Sequence, residues 1–302
     1  MLVHFGVDLI AAEWPESIVC IGTFDGVHRG HQALIQTAVD QARAHELPAV
    51  IVTFDRHPAA ILDPLHKPAS LGTLEQNVIA MRQLGAGVCV ILPFNEDLRQ
   101  TPAEHFLERI LRVKLHASAL VVGHDFAMGR DRVGTADWLA ERIPTTILPP
   151  VEEAGVRISS SAIRSAIMQG EVAEAARFLG RPYALRGVVI GGQKLGRTLG
   201  YPTINLARST DQAIPADGVY AGRAVTPQGE FRAAISIGMR PAVQGKHRTV
   251  EAFLLDYPGD SLYGQAVELS FVARLRDELP FASLDDLVAQ MAKDVALTAT
   301  LT

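Results

Sequence analysis

Residues 17–32 read SIVCIGTFDGVHRGHQ, and the fold of the first half of the chain follows from them. Ile18 to Ile21 form a short apolar run, Gly22 is a turn residue, and after His28-Arg29-Gly30-His31 the apolar positions Leu34, Ile35 and Val39 take helical spacing. The pattern predicts a strand, a glycine turn and a helix start. A helix N-terminus presents unpaired N–H groups and the positive end of the macrodipole, so imidazoles placed there can join them in holding phosphate oxygens. The plain alternative is two surface histidines on a loop, and what decides between them is what else the chain brings to the same place.

Outward from this unit, strands and helices alternate. Ala49 to Phe54 (AVIVTF) reads as a strand with TFDRHP at its carboxyl end, and Leu74 to Leu84 as a helix. Val88 to Phe94 has the composition of a buried strand, and Pro102 to Val113 reads as a helix with proline in its first turn. The strand Leu120 to Val122 is closed by GHDFAMG, and a helix at Ala136 to Arg142 leads to the strand Thr145 to Leu148. One last helix is expected from Ser160 to Leu179. Strands that are apolar on both faces and alternate with helices indicate a parallel sheet covered on both sides. In such sheets ligands bind beyond the carboxyl ends of the strands, which is where GTFDGVHRGH, TFDRHP and GHDFAMGRDRVG all fall. In RISSSAIR (157–164) the serines can cap the following helix, with Arg164 reaching back over its first turn.

The second half differs in character. After Gly180 the helical spacing stops, and short apolar runs separated by Gly and Pro follow: Gly187 to Ile190, Gly218 to Val225, Ala233 to Ile237, Val250 to Leu255 and Val267 to Val272. They predict a small antiparallel barrel or sandwich. A terminal helical stripe of Leu284, Leu287, Val288, Met291 and Val295 is expected to pack onto it. The domains are therefore read as 1–180 and 181–302. GGQKLGRT (191–198) nearly spells a phosphate-binding P-loop, but Gly200 and Pro202 follow at once and forbid the helix such a loop requires.

Composition sets the outer bounds. The 302 residues suffice for two cores, and 48% hydrophobic with 20% charged residues argues for compact soluble domains. A net charge of −5 gives no footprint for nucleic acid or an anionic membrane. The N-terminus has no signal-peptide pattern, and no 18 apolar residues run uninterrupted, so a cytoplasmic enzyme is expected. Cys20 and Cys89 sit in apolar runs and read as buried thiols.

These motifs together resemble the bacterial bifunctional riboflavin kinase/FMN adenylyltransferases, also called FAD synthetases. For the first half the resemblance rests on residues 18–32, VVGHDFAMGRDRVG and RISSSAIRSAI, and implies a Rossmann-like nucleotidyltransferase domain. It implies that Gly22, Phe24, His28 and His31 bind the ATP phosphates with Thr23 and Asp25 beside them, and that Asp125 lies at the nucleotide site. Ser160, Ser161 and Arg164 would embrace the phosphates from the other side, and His57 and Pro58 would approach FMN. His28, His31 and Arg164 become the catalytic candidates. Ser161 stands where the family often has Thr, and FAMG replaces the commoner FRFG.

For the second half the resemblance rests on LGYPTINL (199–206), GVYAG, IGMRPAV, TVEAFLLDY, LYG and RLRDELPF, and implies a six-stranded riboflavin kinase barrel with a terminal helix. Thr203 and Asn205 would coordinate the Mg²⁺ bound to ATP, and Glu251 would be the catalytic base. Gly196, Gly200, Arg240, Arg276 and Glu278 are the further binding candidates, and Ala242 replaces the usual Thr after Arg-Pro. The implied function is phosphorylation of riboflavin to FMN and adenylylation of FMN to FAD, with riboflavin, FMN and ATP as small-molecule partners. A chain with one idle module, a non-enzymatic flavin regulator and a weak homo-oligomer all stay open at this point.

Overall fold

The computed structural model describes the chain apart from residues 8–9, 11–13, 193–198, 209–210, 243–244 and 260, and apart from the side chains of 240–242 and 245–247. It divides into two compact units, Met1–Ser160 and Ser161–Thr302.

The first unit is a six-stranded parallel sheet: β1 (Leu2–Phe5), β2 (Ser17–Ile21), β3 (Ala49–Phe54), β4 (Val88–Leu92), β5 (Ala117–Gly123) and β6 (Thr145–Leu148). The spatial order is β1-β4-β3-β2-β5-β6. Every residue of β2 and β4 is buried, as expected of strands covered on both faces. Helix α1 (Arg29–Ala44) buries Ile35, Ala38, Val39 and Ala42, and it returns the chain from β2 to β3 on one side. The chain later crosses to β5 on the other side of β2, so β2 and β5 flank the point where the winding reverses, where a crevice opens beyond the strand ends.

Three features depart from the sequence reading. Strand β1 was not foreseen: it lies at the sheet edge with Leu2, Val3 and Phe5 exposed, and so lacks the signature of a buried parallel strand. The helix expected from Pro102 to Val113 is a short α-turn, Ala103–His105, running into the π-helical stretch Phe106–Lys114, which apolar spacing cannot distinguish from an α-helix. The helix expected from Ser160 to Leu179 is two helices, α2 (Ser160–Gln169) and α3 (Val172–Leu179), separated by Gly170 in the left-handed region at φ +82°.

The second unit is built around a closed barrel of six antiparallel strands. These are β7 (Tyr183–Ile190), β8 (Thr203–Arg208), β9 (Gly218–Thr226), β10 (Gly229–Ala242), β11 (Gly245–Leu254) and β12 (Ala266–Arg276), in the order β7-β8-β11-β10-β9-β12. The sixth strand, absent from the apolar-run reading, is β8, because alternation of Thr203 and Asn205 with Ile204 and Leu206 hides it. Helix α3 packs on β12, and the terminal helix α4 (Leu284–Leu301) lies against β9, β10 and β12.

Candidate active sites

In the first unit a cavity of about 660 Å³ opens beyond the carboxyl ends of the strands. Past β2 the chain turns through Phe24 at φ 46°, and its buried ring meets His31 edge-on at 5.3 Å. His28 caps α1: its Nδ1 accepts the His31 N–H at 3.3 Å. The two imidazoles stack with centroids 3.6 Å apart. Burial, and then the charge of His28, push His31 well below the ordinary histidine value, so it is neutral at pH 7. Its Nδ1 is buried and has no hydrogen-bond partner among the described residues. An unpaired ring nitrogen at a helix N-terminus fits an anionic oxygen in the tautomer that places the proton on it.

Across the cavity Asp125 accepts from Arg157 Nη2 at 2.6 Å. Burial raises the Asp125 carboxyl, but the hydrogen bond and charge of Arg157 outweigh it and leave the group below its usual range. Arg99, Arg130 and Arg132 add cations to the same wall, while Phe54, Phe94 and Phe126 supply flat apolar surface.

The barrel holds a second cavity, of about 390 Å³. Asn205 pairs directly with Glu251, and Glu251 with Ser236, across three neighbouring strands. Thr203, two residues before Asn205, shares its face, and its hydroxyl donates to Glu251 Oε2 at 3.3 Å. The cavity therefore brings the hydroxyls of Thr203 and Ser236 and the Asn205 amide together around the Glu251 carboxylate, with Arg276, Glu278 and Asp294 also on its lining. Leu199, Tyr201, Phe253, Phe281, Met291 and Val295 add apolar surface. Gly192 lies close beside this site: a Cβ there would fall 2.3 Å from Asn205 Nδ2 and would displace the amide.

Residues 10–162 match the FAD synthetase family, and residues 179–302 match the riboflavin kinase family. The chain is 33% identical to a bifunctional riboflavin kinase/FMN adenylyltransferase of Bacillus subtilis, over 95% of this chain and 92% of that one. A protein of the same description from Pseudomonas fluorescens is 35% identical over 98% of this chain and 96% of its own. The chain belongs to the bifunctional riboflavin kinase/FMN adenylyltransferase family.

A crystal structure from Streptococcus pneumoniae, described as a macrolide-efflux protein, superposes with a TM-score of 0.92 at 31% identity, covering 100% of both chains. No helix among the described residues is long and apolar enough to cross a membrane.

Of the residues this family resemblance singled out, Gly22, Thr23, Phe24, His28, His31, Pro58, Asp125 and Ser160 line the first cavity. Thr203, Asn205, Glu251, Arg276 and Glu278 line the second. Asp25 does not reach the first cavity wall: it is a buried brace whose Oδ1 accepts the Leu71 N–H at 2.7 Å and whose carbonyl accepts from Ser160 at 3.3 Å. His57 is likewise set apart, its Nδ1 accepting the Ala59 N–H at 3.1 Å at the start of a short helix. Ser161 and Arg164 belong to the second unit, where Arg164 Nη1 donates to Ser161 Oγ at 3.5 Å. Gly200 takes a left-handed turn at φ +84° next to the cavity residues Leu199 and Tyr201. Gly196, and the side chains of Arg240 and Ala242, lie outside the described residues.

The sequence reading did not single out Arg99, Arg130, Phe94 or Phe126 in the first cavity, nor Tyr201, Phe253 and Asp294 in the second. Their available signal was position: Phe94 and Phe126 lie just past the ends of β4 and β5, and Phe253 lies two residues beyond Glu251 on one strand face.

Proposed function

We propose that the barrel unit phosphorylates riboflavin to FMN with ATP and that the parallel-sheet unit adenylylates FMN to FAD, releasing pyrophosphate. The observation that carries this reading is the pair of separate cavities, one built on stacked histidines at a helix N-terminus and the other on the Glu251 carboxylate beside the Thr203 and Ser236 hydroxyls and the Asn205 amide. Family membership agrees with both.

In the barrel, Glu251 accepts the proton of the ribityl primary hydroxyl as its oxygen bonds to the γ-phosphorus of ATP and ADP leaves. A hydroxyl needs such a base. Thr203 and Asn205 would hold Mg²⁺ together with the nucleotide phosphates, an oxygen donor set suited to that ion, which would offset charge on the transferring group. Gly196, Gly200 and Arg240 are assigned to substrate binding by sequence resemblance, as is Glu278.

In the first unit the nucleophile is the FMN phosphate, already anionic near neutrality because its second pKa is about 6, so no base is needed. Its oxygen attacks the α-phosphorus of ATP and pyrophosphate departs. His28, His31 and the amides of α1 stabilise the charge that develops on the phosphate oxygens. Asp125 is assigned to the nucleotide site, Ser160, Ser161 and Arg164 to the phosphates, and His57 and Pro58 to the FMN side. The domain limits 1–180 and 181–302, and a cytoplasmic location, belong to the same reading; two buried unpaired cysteines suit a reducing compartment.

The test is a time course of the pure protein with riboflavin, ATP and Mg²⁺, resolved by chromatography. FMN followed by FAD is the expected result. FMN alone, or FAD only when FMN is supplied, would leave a single working unit.

A further inference from the structure

Helix α4 docks on the barrel in an unusual way. An amphipathic helix ordinarily buries its apolar stripe against the layer beneath it. Here the buried residues of α4 are polar, Asp294 and Thr298, while Leu284 is exposed and Leu287, Met291 and Val295 are left half-buried on the cavity wall. The stripe expected to pack on the barrel is instead held open to the cavity.

The terminal helix is tied to the barrel at its far end by Arg223 and Arg232, which donate to the carbonyls of Thr302 and Ala299, and beside the cavity by an ion pair. Arg276, the last residue of β12, forks onto Asp294, with Nε 3.0 Å from Oδ1 and Nη2 2.7 Å from Oδ2. Both side chains are largely buried, and Gln290 Nε2 donates to Asp294 Oδ1 at 2.9 Å. The Arg276 guanidinium lies 5.9 Å from the Phe281 ring. Past Arg276 the connector contributes Glu278, Leu279 and Phe281 to the cavity, and the Glu278 carboxylate lies so close over Gly238 of β10 that a Cβ there would be 1.9 Å from Oε1. One arginine thus joins three walls: a strand end, the connector and the terminal helix.

A buried ion pair is a poor source of net stability, because desolvation offsets much of the attraction, whereas a bidentate fork fixes distance and angle well. We infer that Arg276 is a positioning residue rather than a flavin ligand. Through Asp294 it holds the apolar stripe of α4 at the spacing that admits the planar ring of the flavin, and so governs riboflavin affinity more than phosphoryl transfer. The inference rests on the barrel being the riboflavin kinase.

The test compares Arg276→Gln, Asp294→Asn and the double variant in the full chain, by steady-state phosphorylation at varied riboflavin and by quenching of riboflavin fluorescence at equilibrium. Each single variant should raise the riboflavin KM and Kd by about tenfold through lost positioning, with kcat lowered by less than about threefold. The double variant should be no worse than the worse single one, since both remove the same fork. Asp294→Glu, which keeps the charge, should recover part of the affinity. Replacing the pair with Arg276→Met and Asp294→Leu together guards against misfolding: it should preserve thermal stability but not affinity. The inference is overturned if Arg276→Gln weakens binding while Asp294→Asn does not, if the two effects multiply, or if the Met/Leu double variant binds riboflavin as the wild type does. Riboflavin binding by the wild type without phosphorylation would overturn the kinase reading, leaving the binding arm to judge the positioning role.

Discussion

At the scale of single residues, the first unit turns on a histidine kept neutral. His31 is held below the ordinary value of 6.5 by burial and by His28, so the unfolded chain takes up a proton at this position before the folded one does. Its contribution to stability is therefore complete above about pH 6.5 and is lost as the pH falls from there toward the folded-state value. Both tryptophans, Trp14 and Trp138, lie in the first unit, so their fluorescence follows that unit by itself. Urea unfolding read by tryptophan emission should show a midpoint that drops from about pH 7 to 5, with a shallower drop in His31→Gln. An equal slope in the variant would assign the acid sensitivity to other groups. The spacing of His28 and His31 was legible in the sequence because a helix start fixes where positions 28 and 31 point; the stacking of the rings was not, because it depends on the turn at Phe24 that sets its ring edge-on against His31.

At the scale of elements, the barrel site is a matter of register. Glu251 faces Asn205 and Ser236 because three strands are aligned at that level, and a slip of one residue in β11 would send Glu251 to the opposite face, away from both. The approach of residue 192 to the Asn205 amide belongs to the same alignment. Gly192→Ala places a methyl where the amide now sits, so Asn205 must rotate away, at a cost of about 1–3 kcal/mol for the overpacking. The expected outcome is a kinase rate reduced at least tenfold at limiting Mg²⁺ and partly restored at high Mg²⁺, as for a weakened ion site. An unchanged Mg²⁺ dependence would remove Asn205 from ion binding.

At the scale of the whole molecule, the two cavities are lined by residues of separate units, Met1–Ser160 for one and Ser161–Thr302 for the other. Chemistry in one should survive damage to the other. Glu251→Gln should lower riboflavin phosphorylation by about 10²–10⁴-fold, the ordinary worth of a general base, while FAD formation from supplied FMN stays within twofold or so of the wild type. Parallel loss of both activities would mean that the sites are coupled. Residues 163–178, between the segments matched by the two families, hold all but the first three residues of α2 and the last residue of α3, and α3 packs on strand β12 of the barrel.

Local chemistry made much of this molecule readable from its sequence. Strands such as Val19-Cys20-Ile21 and Val88–Leu92 are apolar throughout because a parallel sheet buries both faces, and glycines and prolines after Gly180 mark a different architecture. Many of the residues in the family's motifs line the two cavities. Tertiary structure decided what depends on partners distant in the chain. The Asp25 carboxylate in GTFDGVHRGH accepts the distant Leu71 N–H, and Arg276 in RLRDELPF lines the barrel cavity while paired with Asp294, 18 residues on. The stripe on α4 carries the spacing of a core helix, yet whether it meets protein or cavity is set by where an ion pair fixes the helix, and periodicity reports which face is apolar without saying what lies opposite.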